Sequence, residues 1–409
     1  MLTLSHPTGN ANVRAVAIGL QKAGLLDEFY TSLAAFPGDY LSELAKLGGP
    51  FLEINRRIFD PSLRSYTHSR PFTEIGRLLS SKFGLSYLTR HESGPFCVDS
   101  VYRNIDRNVS KALRHSKSSK AVYAYEDGAE YSFIAAKKMG MLCLYDLPIG
   151  YWRAARNLLE AELEKWPEWS GTITGFKDSA KKLARKDEEL KLADQIYVAS
   201  SFTAKTLESY PGKLAQIEVI PYGFPKVGKS RDYQKSKALR VLFVGSLSQR
   251  KGIANLLTAV DSLGKSVELT IVGHKVVEDC TPLNKALAKH KWIPSLSHPE
   301  VLKLMREQDV LVFPSLFEGF GLVITEAMSQ GTPVITTDRT AGPDLIEHGR
   351  NGWLIEAGST NSLQETLENL IKHPEQCESA GREAMETAKL RPWETYGKEL
   401  ANNILKLVE

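Results

Sequence analysis

The sequence predicts an α/β protein built from two parallel-sheet domains, and three observations carry that expectation. The chain has 409 residues, more than one hydrophobic core usually supports. Short apolar runs of strand length alternate with helical stripes in both halves, the pattern of largely parallel sheets with helices on both faces. Between the halves, residues 223–237 are rich in Lys, Pro, Gly and Ser and show no apolar period, which marks a linker. The expected division is a first domain at 1–225, a linker at 226–237, a second domain at 238–388 and a closing amphipathic helix at 389–409.

The first half opens with a short strand ending near Ser5, a Gly9-Asn10 turn and a helix whose Val13, Val16, Ala17 and Leu20 fall at i, i+3, i+4 and i+7. Asn10 or Asn12 suits the cap of that helix. Further strands are expected at 121–125, 141–145, 195–199 and 217–221. The second half repeats the plan: a strand at 239–245, a turn at 246–251, then a helix with Ile253, Leu256, Leu257 and Val260 on its buried stripe. Buried strands follow at 267–272, 310–313 and 333–337.

Composition narrows the function classes. Apolar residues make up 42% and there are 30 glycines, the profile of a globular chain and not of a disordered one. Cys97, Cys143, Cys280 and Cys377 lie far apart without paired spacing, so neither a zinc site nor a disulfide framework is suggested, and a reducing cytoplasm is the expected home. The start of the chain lacks the charged and apolar regions of a signal peptide, and no apolar run approaches 18 residues. Net charge is only +4, yet residues 51–120 hold thirteen basic residues against six acidic ones, with Phe51, Phe59, Tyr66, Phe72, Phe83 and Tyr87 interleaved. That window makes an anionic membrane surface or an anionic acceptor a candidate partner, with Arg56, Arg57, Arg103 and Arg107 among its cations. A nucleic-acid partner is not expected.

The most informative segment is 314–327, Pro-Ser-Leu-Phe-Glu-Gly-Phe-Gly-Leu-Val-Ile-Thr-Glu-Ala. Glu318 sits in a loop beside glycines that let backbone N–H groups approach a hexose and a diphosphate, and a helix start follows. Glu326, eight positions on, can accept two charge-assisted hydrogen bonds from a ribose diol. The plain alternative for Glu326 is a solvated helix face. The full string, with Gly331-Thr332-Pro333-Val334-Ile335 behind it, resembles the Glu-x7-Glu signature of the retaining glycosyltransferases of family 4. The resemblance is detailed from about Leu239 to Leu354 and looser before that. It implies a GT-B fold, two Rossmann-like domains facing a central cleft, with the acceptor mainly on the first and the nucleotide sugar on the second.

The resemblance extends to Gly245-Ser246-Leu247-Ser248-Gln249-Arg250-Lys251-Gly252, which looks like the phosphate turn: cations and helix N–H groups converge there on one anion. Ser246 stands where the family often has Arg, which places the expected charge on Arg250. Gly273 resembles the glycine turn beside the nucleotide, and Trp292-Ile293 the segment whose backbone meets the base edge, with core packing the equal alternative for Trp292. The donor set implied is therefore Gly245, Ser246, Arg250, Lys251, Gly273, Trp292, Ile293, Glu318, Gly319, Phe320, Gly321, Leu322 and Glu326, with Gly9 and Asn10 counted in from the first domain. Asn351-Gly352 reads as a structural turn.

In the first domain the family's strand-end His is missing, and Tyr145-Asp146 stands in its place. Glu126 and Asp127 follow another strand end, where clefts form in parallel sheets, so Asp146, Glu126 and Asp127 join Glu318, Lys251 and Arg250 as catalytic candidates. His6 reads as a hydrogen-bonded structural histidine. The implied reaction moves a glycosyl group from a nucleotide diphosphate sugar to a hydroxyl of a carbohydrate or lipid-linked acceptor with retention. No Asp-x-Asp motif occurs, so Arg250, Lys251 and the helix dipole are expected to do the work of a metal, and no cofactor is expected. A sugar phosphorylase or a nucleotide-sugar epimerase of the same fold is an alternative, told apart by phosphate consumption or by donor isomerisation without acceptor. A catalytically inactive nucleotide-sugar-binding protein is another. Bacterial polysaccharide or glycolipid assembly, in the cytoplasm or on the inner face of the cell membrane, is the setting the family suggests.

Overall fold

The computed structural model describes residues 1–46, 54, 57–233 and 236–408. Phe51 and Arg56, and part of the expected linker, lie outside the described residues. Two wholly parallel sheets form the framework. The first contains β1 (Leu2–Ser5), β2 (Leu26–Thr31), β3 (Thr67–Ser69), β4 (Ala121–Tyr125), β5 (Leu142–Leu147), β6 (Gln195–Val198) and β7 (Gln216–Val219), in the order β3-β2-β1-β4-β5-β6-β7. The second contains β8 (Leu239–Val244), β9 (Val267–Val272), β10 (Lys291–Ile293), β11 (Val310–Phe313), β12 (Val334–Thr337) and β13 (Gly352–Ile355), in the order β10-β9-β8-β11-β12-β13. Strand order reverses beside β1 and beside β8, and crevices open at the carboxyl ends of strands at such points.

Packing follows the apolar pattern. Every residue of β1, β4 and β11 is buried, as expected of strands covered on both faces. In helix Ala11–Lys22 the stripe Val13, Val16, Ala17 and Leu20 is fully buried. Asn10 is its N-cap but makes no side-chain capping bond, while Asn12 donates to the Tyr222 hydroxyl at 3.3 Å. The closing helix Trp393–Val408 returns to lie on Ala11–Lys22, and the two backbones touch because both contact residues are glycine: a Cβ on Gly19 would stand 2.2 Å from the Gly397 carbonyl oxygen.

The expected first domain does not keep all of its residues to itself. Helix Trp152–Lys165 and the turn Pro167–Thr172 reach across, and Trp169 is buried in the core of the second domain with Val241 and Leu257. The Thr172 hydroxyl accepts from the Gln249 N–H at 2.9 Å, its carbonyl accepts from Ser248 at 2.7 Å, and Glu162 accepts from the Gln249 amide at 3.0 Å. A large aromatic finds more apolar surface under the second sheet than beside the first, at about 1.5–3 kcal/mol for such burial. No helix of the described residues is long and apolar enough to cross a membrane.

Candidate active site

The second-domain site is assembled where β8 and β11 end. After β8 the chain turns through Gly245 and Ser246 into the short helical turn Gln249–Lys251, capped by Ser248, whose hydroxyl accepts from the Arg250 N–H at 3.2 Å. Gly252 then starts helix Ile253–Leu263 in the left-handed region, φ 70°. A side chain there would place its Cβ 2.0 Å from the Pro314 carbonyl oxygen, so glycine is what lets the turn close on the loop after β11. The two segments are further joined by Leu316 N–H to Arg250 O at 2.9 Å and by Arg250 Nη1 to Phe317 O at 2.7 Å.

Arg250, Lys251 and Glu318 form the charged centre. Lys251 Nζ lies in direct contact with Glu318 Oε2, and Arg250 Nη1 is 3.2 Å from the same oxygen. Lys251 also lies 4.8 Å from the centre of the Phe313 ring. Burial, and then the Arg250 guanidinium, push the Lys251 ammonium well below its ordinary value, and the touching carboxylate opposes that push. Burial lowers Arg250 as well. Two cations held at a helix N-terminus around one carboxylate form a centre that a diphosphate can enter by replacing Glu318 as their partner.

The loop bearing Glu318 is gripped from the first domain. Ser200 and Thr203 hydroxyls donate to the Gly319 carbonyl at 2.5 and 2.9 Å. A Cβ on Gly319 would lie 2.1 Å from the Pro148 carbonyl oxygen, and one on Gly150 2.4 Å from the Phe317 ring. Phe320 packs on Tyr222 at 4.8 Å, and Gly321, φ 88°, opens helix Leu322–Ser329. Leu322 is partly buried at the head of that helix. In its second turn Glu326 presents Oε1 3.1 Å from His298 Nε2, a partner from a neighbouring helix.

Gly273, Trp292 and Ile293 form a second group, which adjoins the turn after β8 at Gly245. The Trp292 indole N–H donates to the Gly273 carbonyl at 2.9 Å, and the Gly273 N–H donates to the Ile293 carbonyl at 3.0 Å. Trp292 packs on the second core. Gly245 and Gly273 touch through their backbones: a Cβ on Gly273 would meet the Gly245 oxygen at 1.8 Å. The structure brings Gly245, Ser246, Arg250 and Lys251 into one turn with Glu318 close by. Asn351 is structural, donating to the Leu345 carbonyl and the Thr387 hydroxyl.

The first-domain candidates divide differently from expectation. Asp146 is enclosed, 3% exposed, and accepts from the Tyr123 hydroxyl at 2.6 Å within a cluster that includes Tyr125, Tyr222 and Tyr396. Burial raises its carboxyl to about 7. Its place near the end of β5 did not by itself show that the side chain would be enclosed. Glu126 and Asp127 are bound into an ion-pair network on helix Ala180–Leu192: Lys186 lies 3.3 Å from Glu126 and 3.7 Å from Asp127, and Arg185 lies 3.1 Å from Asp127. Burial raises Glu126, with Lys186 opposing. Asp127 adopts φ 70°, and its N–H donates to Glu189, a fully buried carboxylate that also caps Ala129 and Glu130. His91, Glu92 and Asp178 also converge, but Lys182 and Lys186 already neutralise Asp178 and Ser179 binds Glu92. Gly9 packs on Phe59 and Asn10 accepts from Thr8 at 3.1 Å, with no hydrogen bond to the Glu318 group among the described residues.

His6 is structural, as read. Thr8 N–H donates to its Nδ1 at 2.9 Å, its ring meets Tyr125 edge-on at 4.5 Å, and burial lowers it to about 4. The residues that sequence reasoning missed are His298, Ser200, Thr203, Arg185 and Glu189. None sits in a motif, and only the tertiary fold brings Ser200 and Thr203 more than 115 positions back to Gly319.

Comparison with known proteins bears on the second domain and on the fold. Residues 229–387 match the family model described as glycosyl transferases group 1. A capsular polysaccharide biosynthesis glycosyltransferase, CapM of Staphylococcus aureus, is 27% identical over 229 residues, 51% of this chain and 60% of that protein. A phosphatidyl-myo-inositol mannosyltransferase of Mycobacterium leprae is 29% identical over 202 residues, 47% and 49% of the two chains. The chain spans about half the length of the curated relatives it matches. Among solved structures, sucrose-phosphate synthase from Thermosynechococcus elongatus superposes with a TM-score of 0.66 at 17% identity over 99% of this chain and 98% of that one. HepE of Anabaena, solved with UDP and glucose, superposes with a TM-score of 0.62 at 17% identity over 99% of each chain. The two facing parallel-sheet domains are a GT-B fold.

Proposed function

We propose that the chain is a retaining glycosyltransferase of family 4 type that takes a sugar from a nucleotide diphosphate donor and moves it to an acceptor hydroxyl. The observation that carries this reading is the convergence of Arg250, Lys251 and Glu318 at the start of helix Ile253–Leu263, with Glu326 on helix Leu322–Ser329, which follows the Glu318 loop. As the sugar–phosphate bond breaks, negative charge grows on the diphosphate and positive charge on the ring. Arg250, Lys251 and the helix N–H groups meet the first, and Glu318, displaced from the cations, meets the donor sugar. Glu326 holds the ribose diol. Because the chain's own cations stand where leaving-group charge develops, no divalent ion is needed for that step in this reading.

Relatives named for capsular polysaccharide biosynthesis and for phosphatidyl-myo-inositol support an acceptor that is a growing carbohydrate or a lipid-linked sugar. Thermal-shift screening of UDP-, GDP- and ADP-sugars tests the donor: at 100 times its dissociation constant a true donor adds about 2.7 kcal/mol of stability. Anomeric NMR of the product then reads retention. A chain that binds no nucleotide sugar, or that isomerises the donor without acceptor, refutes the proposal.

A further inference from the structure

Helix Phe72–Lys82 is built inside out. Its buried residues are polar: Glu74, 1% exposed, is bonded to Arg57 and to Arg77, and Ser80 is buried beside it. Its apolar residues face outward, with Phe72 at 78%, Ile75 at 42% and Leu79 at 50% exposure, and Phe83, the next residue, at 68%. A surface helix of a water-soluble protein shows the reverse. The spacing i, i+3, i+7, i+11 puts all four on one stripe, and Phe72 and Phe83 stand roughly 16 Å apart along it. The stripe itself lines a groove of about 810 Å³ together with Phe96, whose ring packs directly on Gly76, where a Cβ would lie 2.4 Å from it.

Charge around the stripe decides its partner. Arg70, Lys82 and Arg90 are exposed. The nearby acids turn inward: Glu74 to Arg57, Asp99 to Arg185, and Asp106 to the N–H groups of Tyr131 and Ser132. The result is an apolar stripe with a basic surround, which matches the acyl boundary and phosphate layer of an anionic bilayer. The cations foreseen from sequence that lie among the described residues are engaged elsewhere. Arg57 is buried against Glu74, Arg103 and Arg107 lie over the Tyr131 ring, with Arg103 partly buried, and Arg56 is outside the described residues.

We propose that helix Phe72–Lys82 is a membrane-interface helix that lies in the headgroup plane of an anionic bilayer, with Phe72, Ile75, Leu79 and Phe83 in the acyl boundary and Arg70, Lys82 and Arg90 on headgroup phosphates. Its inner side carries Glu74 and Arg57, and the Arg57 charge is felt by His6 at the end of β1. Docking by this face sets the strand ends of the first domain beside the membrane, where a lipid-linked acceptor would lie. The inference stands apart from the donor reading, because vesicle binding and nucleotide-sugar binding are measured separately and either can fail alone.

The test is co-sedimentation of the full chain with phosphatidylglycerol and phosphatidylcholine vesicles, with a Phe83→Trp variant as a fluorescent reporter. Binding to the anionic vesicles at low salt, loss as salt rises and a blue shift in the emission of the introduced indole are expected. The triple change Phe72→Ser, Leu79→Ser and Phe83→Ser should weaken binding at least tenfold, and each of Arg70→Ser, Lys82→Ser and Arg90→Ser about fivefold. An unchanged melting temperature shows that these variants fold. Absence of binding by the unmodified chain, binding untouched by the triple change, or conversion of a self-associated chain into a monomer by that change with no vesicle binding throughout would each overturn the proposal, the last in favour of a protein partner.

Discussion

Thr203 donates its hydroxyl to the Gly319 carbonyl at 2.9 Å, tying the first domain to the loop that presents Glu318. Ser200 donates to the same oxygen, so the carbonyl has two partners and loses neither role when one goes. Thr203→Val should therefore cost only about 0.5–1.5 kcal/mol of donor affinity. The double change Ser200→Ala and Thr203→Val leaves the buried carbonyl unpaired and should cost more than the two single changes together. Titration calorimetry of the three variants with the donor checks the non-additivity; simple additivity would mean that the loop is held by packing alone.

Donor recognition should separate into a nucleoside part and a phosphate part. Glu326→Ala is expected to weaken nucleotide and nucleotide sugar alike, by roughly 1.5–3 kcal/mol for a lost charged hydrogen bond. Lys251→Ala should weaken the diphosphate and spare the nucleoside. Unchanged affinity in a folded Glu326→Ala protein would remove the ribose assignment.

If the proposed reaction is right, turnover should continue in EDTA, because Arg250 and Lys251, paired with Glu318 at a helix start, would meet the charge of the leaving diphosphate. Activity abolished by chelation and restored by Mg²⁺ or Mn²⁺ contradicts this.

Asp146 predicts a pH-dependent stability. Its folded-state value is raised from 3.8 to about 7 by burial, so the unfolded chain ionises first as pH rises. Stability is lost between pH 4 and 7, and the penalty, on the order of a few kcal/mol, is complete above pH 7. Asp146→Asn keeps the Tyr123 hydrogen bond and cannot ionise. It should raise the melting temperature at pH 8 and leave it nearly unchanged at pH 4. An equal shift at both pH values would show that ionisation is not the cause.

Legibility in the sequence followed locality. β9 and β11 coincide with the expected 267–272 and 310–313 because each is a continuous apolar run. β2 was hidden by Asp27 and Glu28, β3 is only Thr-His-Ser, and β13 was masked by the Asn351-Gly352 turn signal that precedes it. The same rule held at the site. Glu318, Gly319 and Glu326 lie within nine residues and could be read together, as could Arg250 and Lys251. Their partners Ser200, Thr203 and His298 could not, nor could the burial of Asp146 against Tyr123, because a strand end fixes position along the sheet but not the face a side chain takes. On helix Ala180–Leu192, Lys182, Arg185, Lys186 and Glu189 look like a solvated charged face, yet Arg185, Lys186 and Glu189 are buried.

Trp169 under the second sheet bears on the portability of the donor half. A fragment cut at residue 238 carries the phosphate turn, Glu318 and Glu326, and so looks like a transferable cassette. It would arrive without the indole that fills its core and without Thr172 and Glu162, which fix Ser248 and Gln249. Chimaeras that exchange donor specificity between related chains therefore have to carry residues 152–172 along with the second domain, even though that stretch lies on the far side of the linker.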